Sequence, residues 1–210
     1  MKKQGILVVV SGFAGTGKGT VMKELLNRYD SYALSVSATT RSPRPGEVDG
    51  REYFFKSKEE FEQMIREGAF VEHACYVGNY YGTPKKYVEE QLADGKDVIL
   101  EIEIQGALNI KKQFPEAVLL FIAPPSAEVL KQRLISRGTE TQDVIERRLA
   151  RAVEESQGIE NYDYLVVNDN LEECVLNVHQ MIQSEHWKMS RRQKDVKELK
   201  KQISAFAKGE

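Results

Sequence analysis

The chain is poor in the residues that mark several protein classes. Its 210 residues hold two cysteines, Cys75 and Cys174, far apart and without metal-ligand spacing. That removes a disulfide framework and points to a reduced, cytoplasmic setting. Neither charge sign dominates: 30 Lys/Arg against 32 Asp/Glu leave a net −2. The molecule as a whole is therefore no polyanion binder, and no nucleic-acid partner is expected. Long apolar runs are missing too. The run near the N-terminus is about six residues, short of a signal-peptide core and far short of a membrane span. No repeat or low-complexity tract is visible. What remains is an ordinary apolar content of 41%, enough for one domain with a small insert or two.

Against that background one stretch stands out. Ile6-Leu-Val-Val-Val-Ser-Gly-Phe-Ala-Gly-Thr-Gly-Lys-Gly-Thr20 runs from a β-branched strand through a glycine-rich turn into a helical pattern. A backbone turned this way points several N–H groups into one concavity, at the positive end of the next helix. The pattern G-x-x-x-x-G-K-[ST] holds through Gly12, Phe13, Ala14, Gly15, Thr16, Gly17 and Lys18. Gly19 then takes the place of the magnesium-binding hydroxyl, and Thr20 follows one residue late. A nucleoside triphosphate, ATP, is the ligand this loop suits, with Mg²⁺ beside it.

Strand and helix signals alternate along the rest. Strands are expected at 6–11, 98–100, 118–123 and 164–167. Helices are expected at 17–29, from Ser57 to Gly68, from Thr83 with Pro84 in the first turn to about 93, at 105–114, 126–137 and 142–157, and from about 171 onward. Continuous apolar strands separated by helices predict an α/β fold: a P-loop NTPase-type core whose parallel sheet is covered by helices on both faces. Residues 34–95 break the rhythm and read as an insert. Ligands then belong at the carboxyl ends of the strands. The stretch 188–210 carries eight Lys/Arg against three Asp/Glu. It reads first as a solvated helix and second as a contact between two copies of the chain, a homodimer.

A second cationic site lies in Thr39-Thr-Arg-Ser-Pro-Arg-Pro-Gly-Glu-Val-Asp-Gly-Arg-Glu-Tyr53. Arg41 and Arg44, stiffened by Pro43 and Pro45, form a fork that matches phosphate oxygens. Tyr53 and Tyr81 can each donate a phenolic hydrogen bond to the same group. Beside a phosphate loop, a second anion site implies two phosphorylated substrates face to face.

The pattern T-T-R-x-x-R-x-x-E-x-x-G-x-x-Y-x-F at 39–55 resembles the guanylate kinase family, bacterial type. Gly78-Asn-Tyr-Tyr-Gly-Thr83, Arg137-Gly-Thr-Glu140 and Val167-Asn-Asp169 are similar to it as well, so the likeness covers about residues 5–185. The resemblance implies the reaction ATP + GMP ⇌ ADP + GDP, with dGMP also accepted. It gives Glu72 the guanine-reading role, since one carboxylate accepts both N1–H and the N2 amine, where adenine offers an acceptor instead. It sets Ser37 and Thr83 against the base, Arg41, Arg44, Tyr53 and Tyr81 on the GMP phosphate, and Asn168 near the ATP adenine. Glu103 reaches the guanine side and Glu101 organises magnesium through water, where many members carry aspartates. Phe13-Ala14 stands where Pro-Ser is frequent.

The arginines Arg133, Arg137 and Arg148 lie on two successive helical segments and read as a lid over 133–157. Arg137 and Arg148 match the family's phosphate-contacting pair, so Lys18, Arg41, Arg137 and Arg148 carry the catalytic expectation. Mg²⁺ would rest on Thr20, Glu101, water and phosphate. The domain then covers 1–185, with 186–210 a basic helical extension. A phosphate monoester is already anionic at neutral pH, so no general base is needed and His73, His179 and His186 get no catalytic role. Two rivals stand beside this reading. One is another P-loop nucleoside monophosphate kinase. The other is a guanylate-kinase-like binding module without chemistry, against which the intact Lys18 and lid arginines speak.

Overall fold

The computed structural model describes residues 4–76, 78–136 and 141–206. Five strands make one parallel sheet: β1 (Leu7–Ser11), β2 (Tyr32–Leu34), β7 (Asp97–Glu101), β8 (Val118–Ala123) and β9 (Tyr164–Val167), in the order β2-β7-β1-β8-β9. Val8 pairs with Ile99 on one side and Val118 on the other, which puts β1 at the centre. Its burial is complete along its length because it is covered on both faces.

Two apolar layers explain that coverage. On one face, α1 (Lys18–Arg28) and α7 (Leu171–Glu185) bury Val21, Met22, Leu25, Val175, Val178 and Ile182 against Val8, Val10 and Leu120. On the other, α3 (Lys85–Ala93) and α4 (Ile104–Gln113) bury Val88, Ala107 and Ile110 against Val9, Val98 and Leu119. A parallel strand buried on both sides must be apolar at every position, which is why periodicity 2 is absent there.

A second sheet, order β4-β3-β6-β5, is built from β3 (Ala38–Thr39), β4 (Phe54–Phe55), β5 (Phe70–Tyr76) and β6 (Asn79–Pro84). It falls within the stretch read as an insert. Helix α2 (Lys58–Arg66) opens on the anticipated capping box: Ser57 accepts from the Glu60 N–H, and Glu60 accepts from the Ser57 N–H. Gly68 follows it at φ 65, the left-handed region. The start of α3 differs from expectation. Thr83 and Pro84 belong to β6, Pro84 is the cap, and the helix begins at Lys85. Pairing with β5 claims Thr83, which overrides its local capping preference.

Helices α5 (Ala127–Ser136) and α6 (Gln142–Ser156) pack through Leu130, Leu134 and Ile145, with Phe13 and Leu149 beside them. Helix α8 (Gln193–Phe206) ends the described chain. No described helix is long and apolar enough to cross a membrane.

Candidate active site

The phosphate loop sits at the carboxyl end of β1, where the sheet order turns back on itself. In a doubly wound sheet that is the crevice in which ligands bind. Two glycines shape it, Gly15 at φ 96 and Gly17 at φ 84. Gly12 is required by space, since a Cβ there would meet the Ile122 carbonyl oxygen at 2.4 Å. Helix α1 begins at Lys18 with Gly17 as its cap and no side-chain cap. Its first turn therefore faces the loop's concavity, with the positive end of the helix dipole behind it.

The loop is braced from below by residues that the sequence alone assigns elsewhere. The Asn168 amide donates to the Thr16 carbonyl at 2.7 Å and is buried. Arg133 donates to the carbonyls of Asn168 at 2.9 Å and Thr16 at 3.4 Å. Arg133 thus clamps the loop's backbone. Asn168, expected near an adenine, spends its side chain on the loop. The sequence marks both residues but for other roles, because their contacts to Thr16 span 152 and 117 residues.

Lys18 lies 3.8 Å from Glu101, at the end of β7. A Cβ on Gly19 would stand 3.9 Å from the same carboxylate. Glu101 therefore borders the cationic end of the loop. Among the described residues no group of three or more His, Cys, Asp or Glu could hold a metal. Glu101 and Thr20, which follows Gly19 in the chain, carry hard oxygen donors. That set suits a cation such as Mg²⁺, which keeps several waters and takes its other ligands from phosphates.

Facing this loop, a cleft of about 910 Å³ is lined by Gly12, Ser37, Tyr53, Glu72, Tyr81, Glu101, Glu103 and Arg148, among others. Residues from the loop, the second sheet, β7, α4 and α6 meet there. Arg41 is already fixed. Its Nη2 donates to both oxygens of Glu47 at 2.9 Å, and the guanidinium lies 5.3 Å from the Tyr53 ring centroid. The Arg44 backbone N–H donates to the same carboxylate at 2.7 Å. Glu47, the glutamate of the 39–55 pattern, therefore braces Arg41 and the Arg44 backbone, a role the sequence reading did not assign. Tyr53 and Tyr81 stand edge to face, 6.0 Å apart. Burial, with Tyr81 adding to it, raises the Tyr53 hydroxyl above its ordinary pKa.

Glu72 is 9% exposed, on β5. Burial pushes its carboxyl up to about 7, while a hydrogen bond donated by the Thr83 hydroxyl at 3.2 Å pulls the other way. A buried carboxyl with one donor has acceptor capacity left over, and it faces the cleft. Thr83 thus holds Glu72.

Glu103 caps α4 by accepting from the Gly106 N–H at 3.3 Å. Its other oxygen lies 3.5 Å from Arg151 of α6, which also reaches Glu154 and Glu155. Arg151 escaped the sequence reading although it stands three residues after Arg148, on the same helix face. Glu155 is half-buried beside it, and burial raises its carboxyl above the usual range. Arg137 and the residues 138–140 lie outside the described residues.

Two of the histidines are engaged within the fold. His179 stacks on Tyr29 at 3.7 Å and hydrogen-bonds Tyr32. His186 pairs with the buried Asp97, which accepts the Ile6 N–H.

A parallel sheet with its phosphate loop at the switch point, facing a pocket of arginine, tyrosine and a buried carboxylate, defines a P-loop nucleotide-binding protein with room for a second nucleotide. Comparison with known proteins narrows this. The guanylate kinase family profile matches residues 4–185. The chain is 51% identical to guanylate kinase from Oceanobacillus iheyensis over 95% of its length and 97% of that protein's. It is 50% identical to guanylate kinase from Bacillus subtilis over 91% of its length and 94% of that protein's. The crystal structure of guanylate kinase from Anaplasma phagocytophilum superposes with a TM-score of 0.74 at 33% identity, covering 91% of each chain. The chain belongs to the guanylate kinase family.

Proposed function

We propose that this chain transfers the γ-phosphoryl group of ATP to GMP, and dGMP, with the two halves of the cleft holding donor and acceptor. The observation that carries the reading is Glu72, a buried carboxyl with spare acceptor capacity across the cleft from an intact phosphate loop. Guanine offers two adjacent donors to such a group. Adenine sets an acceptor against it, and sites built on hydrogen bonding reject the wrong partner by about 10⁴–10⁵.

The loop 12–20 and Lys18 bind the ATP phosphates. Arg41, Arg44, Tyr53 and Tyr81 bind the GMP phosphate, Ser37 and Glu103 the base, with Thr83 holding Glu72. A GMP phosphate oxygen attacks the γ-phosphorus while the bond to the β-bridging oxygen breaks. That oxygen is anionic at neutral pH, so no side chain need take its proton. The reaction then rests on positioning and charge neutralisation. Lys18, Arg148 and Arg137 supply positive charge, the latter two as the lid 133–157 closes and expels water. Thr20 and Glu101 would hold Mg²⁺, which neutralises phosphate charge when bound. In this reading 34–95 is the nucleoside-monophosphate insert, 186–210 an extension, and the protein acts in the cytoplasm. A coupled assay of ADP release with GMP, AMP, CMP and UMP tests it. GMP alone is expected to turn over rapidly, and preference for another nucleotide, or no turnover, would sink the assignment.

A further inference from the structure

Neither backbone nor space requires glycine at position 106. Gly106 lies in the first turn of α4, and its φ is outside the left-handed region. A helix is less stable with glycine than with alanine, because glycine gives up more conformational freedom on folding. Elsewhere in this chain space forces the choice. A Cβ on Gly12 would meet the Ile122 carbonyl oxygen at 2.4 Å, and one on Gly82 would meet the Phe70 ring at 2.8 Å. At Gly106 the nearest atoms beyond its own helix belong to side chains: Cδ1 of Ile102 at 3.3 Å and Oε2 of Glu72 at 3.5 Å from a Cβ built there. Ile102 is half-buried and borders the cleft, so its tip has room to turn aside.

The second of these contacts is the informative one. Oε1 of Glu72 takes the Thr83 hydroxyl at 3.2 Å. Oε2 accepts no hydrogen bond among the described residues and is the spare acceptor. Glu72 and Gly106 both line the cleft. With only hydrogen on the Gly106 Cα, the flank of Oε2 toward α4 stays open to an incoming donor. A methyl group would fill that flank at van der Waals distance and leave the carboxylate where it is. The turn cannot retreat to make room, because the Gly106 N–H is held by the Glu103 cap at 3.3 Å.

We infer that Gly106 is a specificity-determining position whose missing side chain keeps Oε2 of Glu72 open to the paired donors of the acceptor base. The inference rests on the reading of Glu72 as the base-reading carboxylate. It adds that discrimination depends on an absence on α4 as much as on the acid of β5. A site that selects through hydrogen bonds works only while its acceptor can be reached.

Gly106→Ala in the full chain tests this, by steady-state kinetics with GMP and AMP and by thermal unfolding. KM for GMP should rise about tenfold, and the GMP-over-AMP ratio of kcat/KM should fall by a similar factor. KM for ATP should stay within about twofold and kcat at saturating GMP within about threefold, since binding and not transfer is impaired. The midpoint of unfolding should be unchanged or about 1–3 °C higher, because alanine is the better helix former. A lower midpoint with both KM values raised would mark a merely structural glycine and overturn the inference. An unchanged KM for GMP in a stable variant overturns it as well. Ile102→Val combined with Gly106→Ala removes the tip that the new methyl would crowd. Judged against Ile102→Val alone, the pair should keep the raised KM, and recovery would move the effect to Ile102 and overturn the inference. These outcomes leave the reading of Glu72 standing. A parent chain that shows no preference for GMP overturns both.

Discussion

The two halves of the cleft are built by different means. The donor half is backbone: glycines at positive φ, a helix N-terminus, and carbonyls clamped by Asn168 and Arg133. The half proposed for the acceptor is side chain: Arg41 on Glu47, Tyr53 against Tyr81, Glu72 on Thr83. Phosphate chains are alike in every nucleoside triphosphate, so a rigid cradle of N–H groups suffices for them. A base must be told from another base. That takes a directional acceptor whose ionisation and aim depend on its neighbours.

The largest test of this contrast is Lys18→Met. It should lower kcat by about 10³ while GMP binding, measured by calorimetry, changes little. If both halves fail together, they are not separable. Glu72→Gln turns one acceptor into a donor and should cut the GMP-over-AMP preference in kcat/KM by about 10². It should also stabilise the fold. The Glu72 carboxyl is raised above its unfolded value, so its protonated form favours folding at low pH and that benefit is lost as pH rises through about 7. Above pH 7 the glutamine variant should be more stable by on the order of 2 kcal/mol, a gain that fades toward pH 4. Thermal unfolding at two pH values measures this.

Glu47→Gln should release the arginine loop and raise KM for GMP roughly tenfold, with KM for ATP unmoved. A comparable loss follows from pH. In the proposed reading GMP needs the ionised Glu72, so its affinity should fall about tenfold from pH 8 to pH 6. The Glu72→Gln variant shows how much of that fall belongs to the phosphate of GMP itself. The smallest effect is expected for Arg151→Ala, an exposed ion pair at 3.5 Å. It should shift KM for GMP by about threefold or less, since such pairs contribute little in water. A larger shift would make the lid helix part of the base site.

Much of the donor half was legible in the chain because its parts are contiguous. The loop 12–20 carries its strand before it and its helix after it, and local chemistry dictates each step. In the acceptor half the phosphate fork of Arg41 and Arg44 was legible in the residues, but the base-reading role of Glu72 only as a resemblance. The supports of that half were not. Glu47 is a fixed position of the 39–55 pattern, yet nothing in one dimension shows that it braces Arg41. Thr83 looked like a helix cap until β5 claimed it for a strand. Asn168 and Arg133 reach Thr16 across 152 and 117 residues, separations at which sequence proximity says nothing.

By itself, the sequence determined the alternating apolar strands, the parallel sheet they require and the cradle at the end of the first one. Period, propensity and glycine placement are properties of neighbours along the chain. Only the tertiary structure decided which carbonyls clamp that cradle, which acid holds Arg41, and that Glu72 is buried enough to stand near neutrality. Those outcomes depend on desolvation and on partners brought together by the sheet order β2-β7-β1-β8-β9, which the local pattern does not encode.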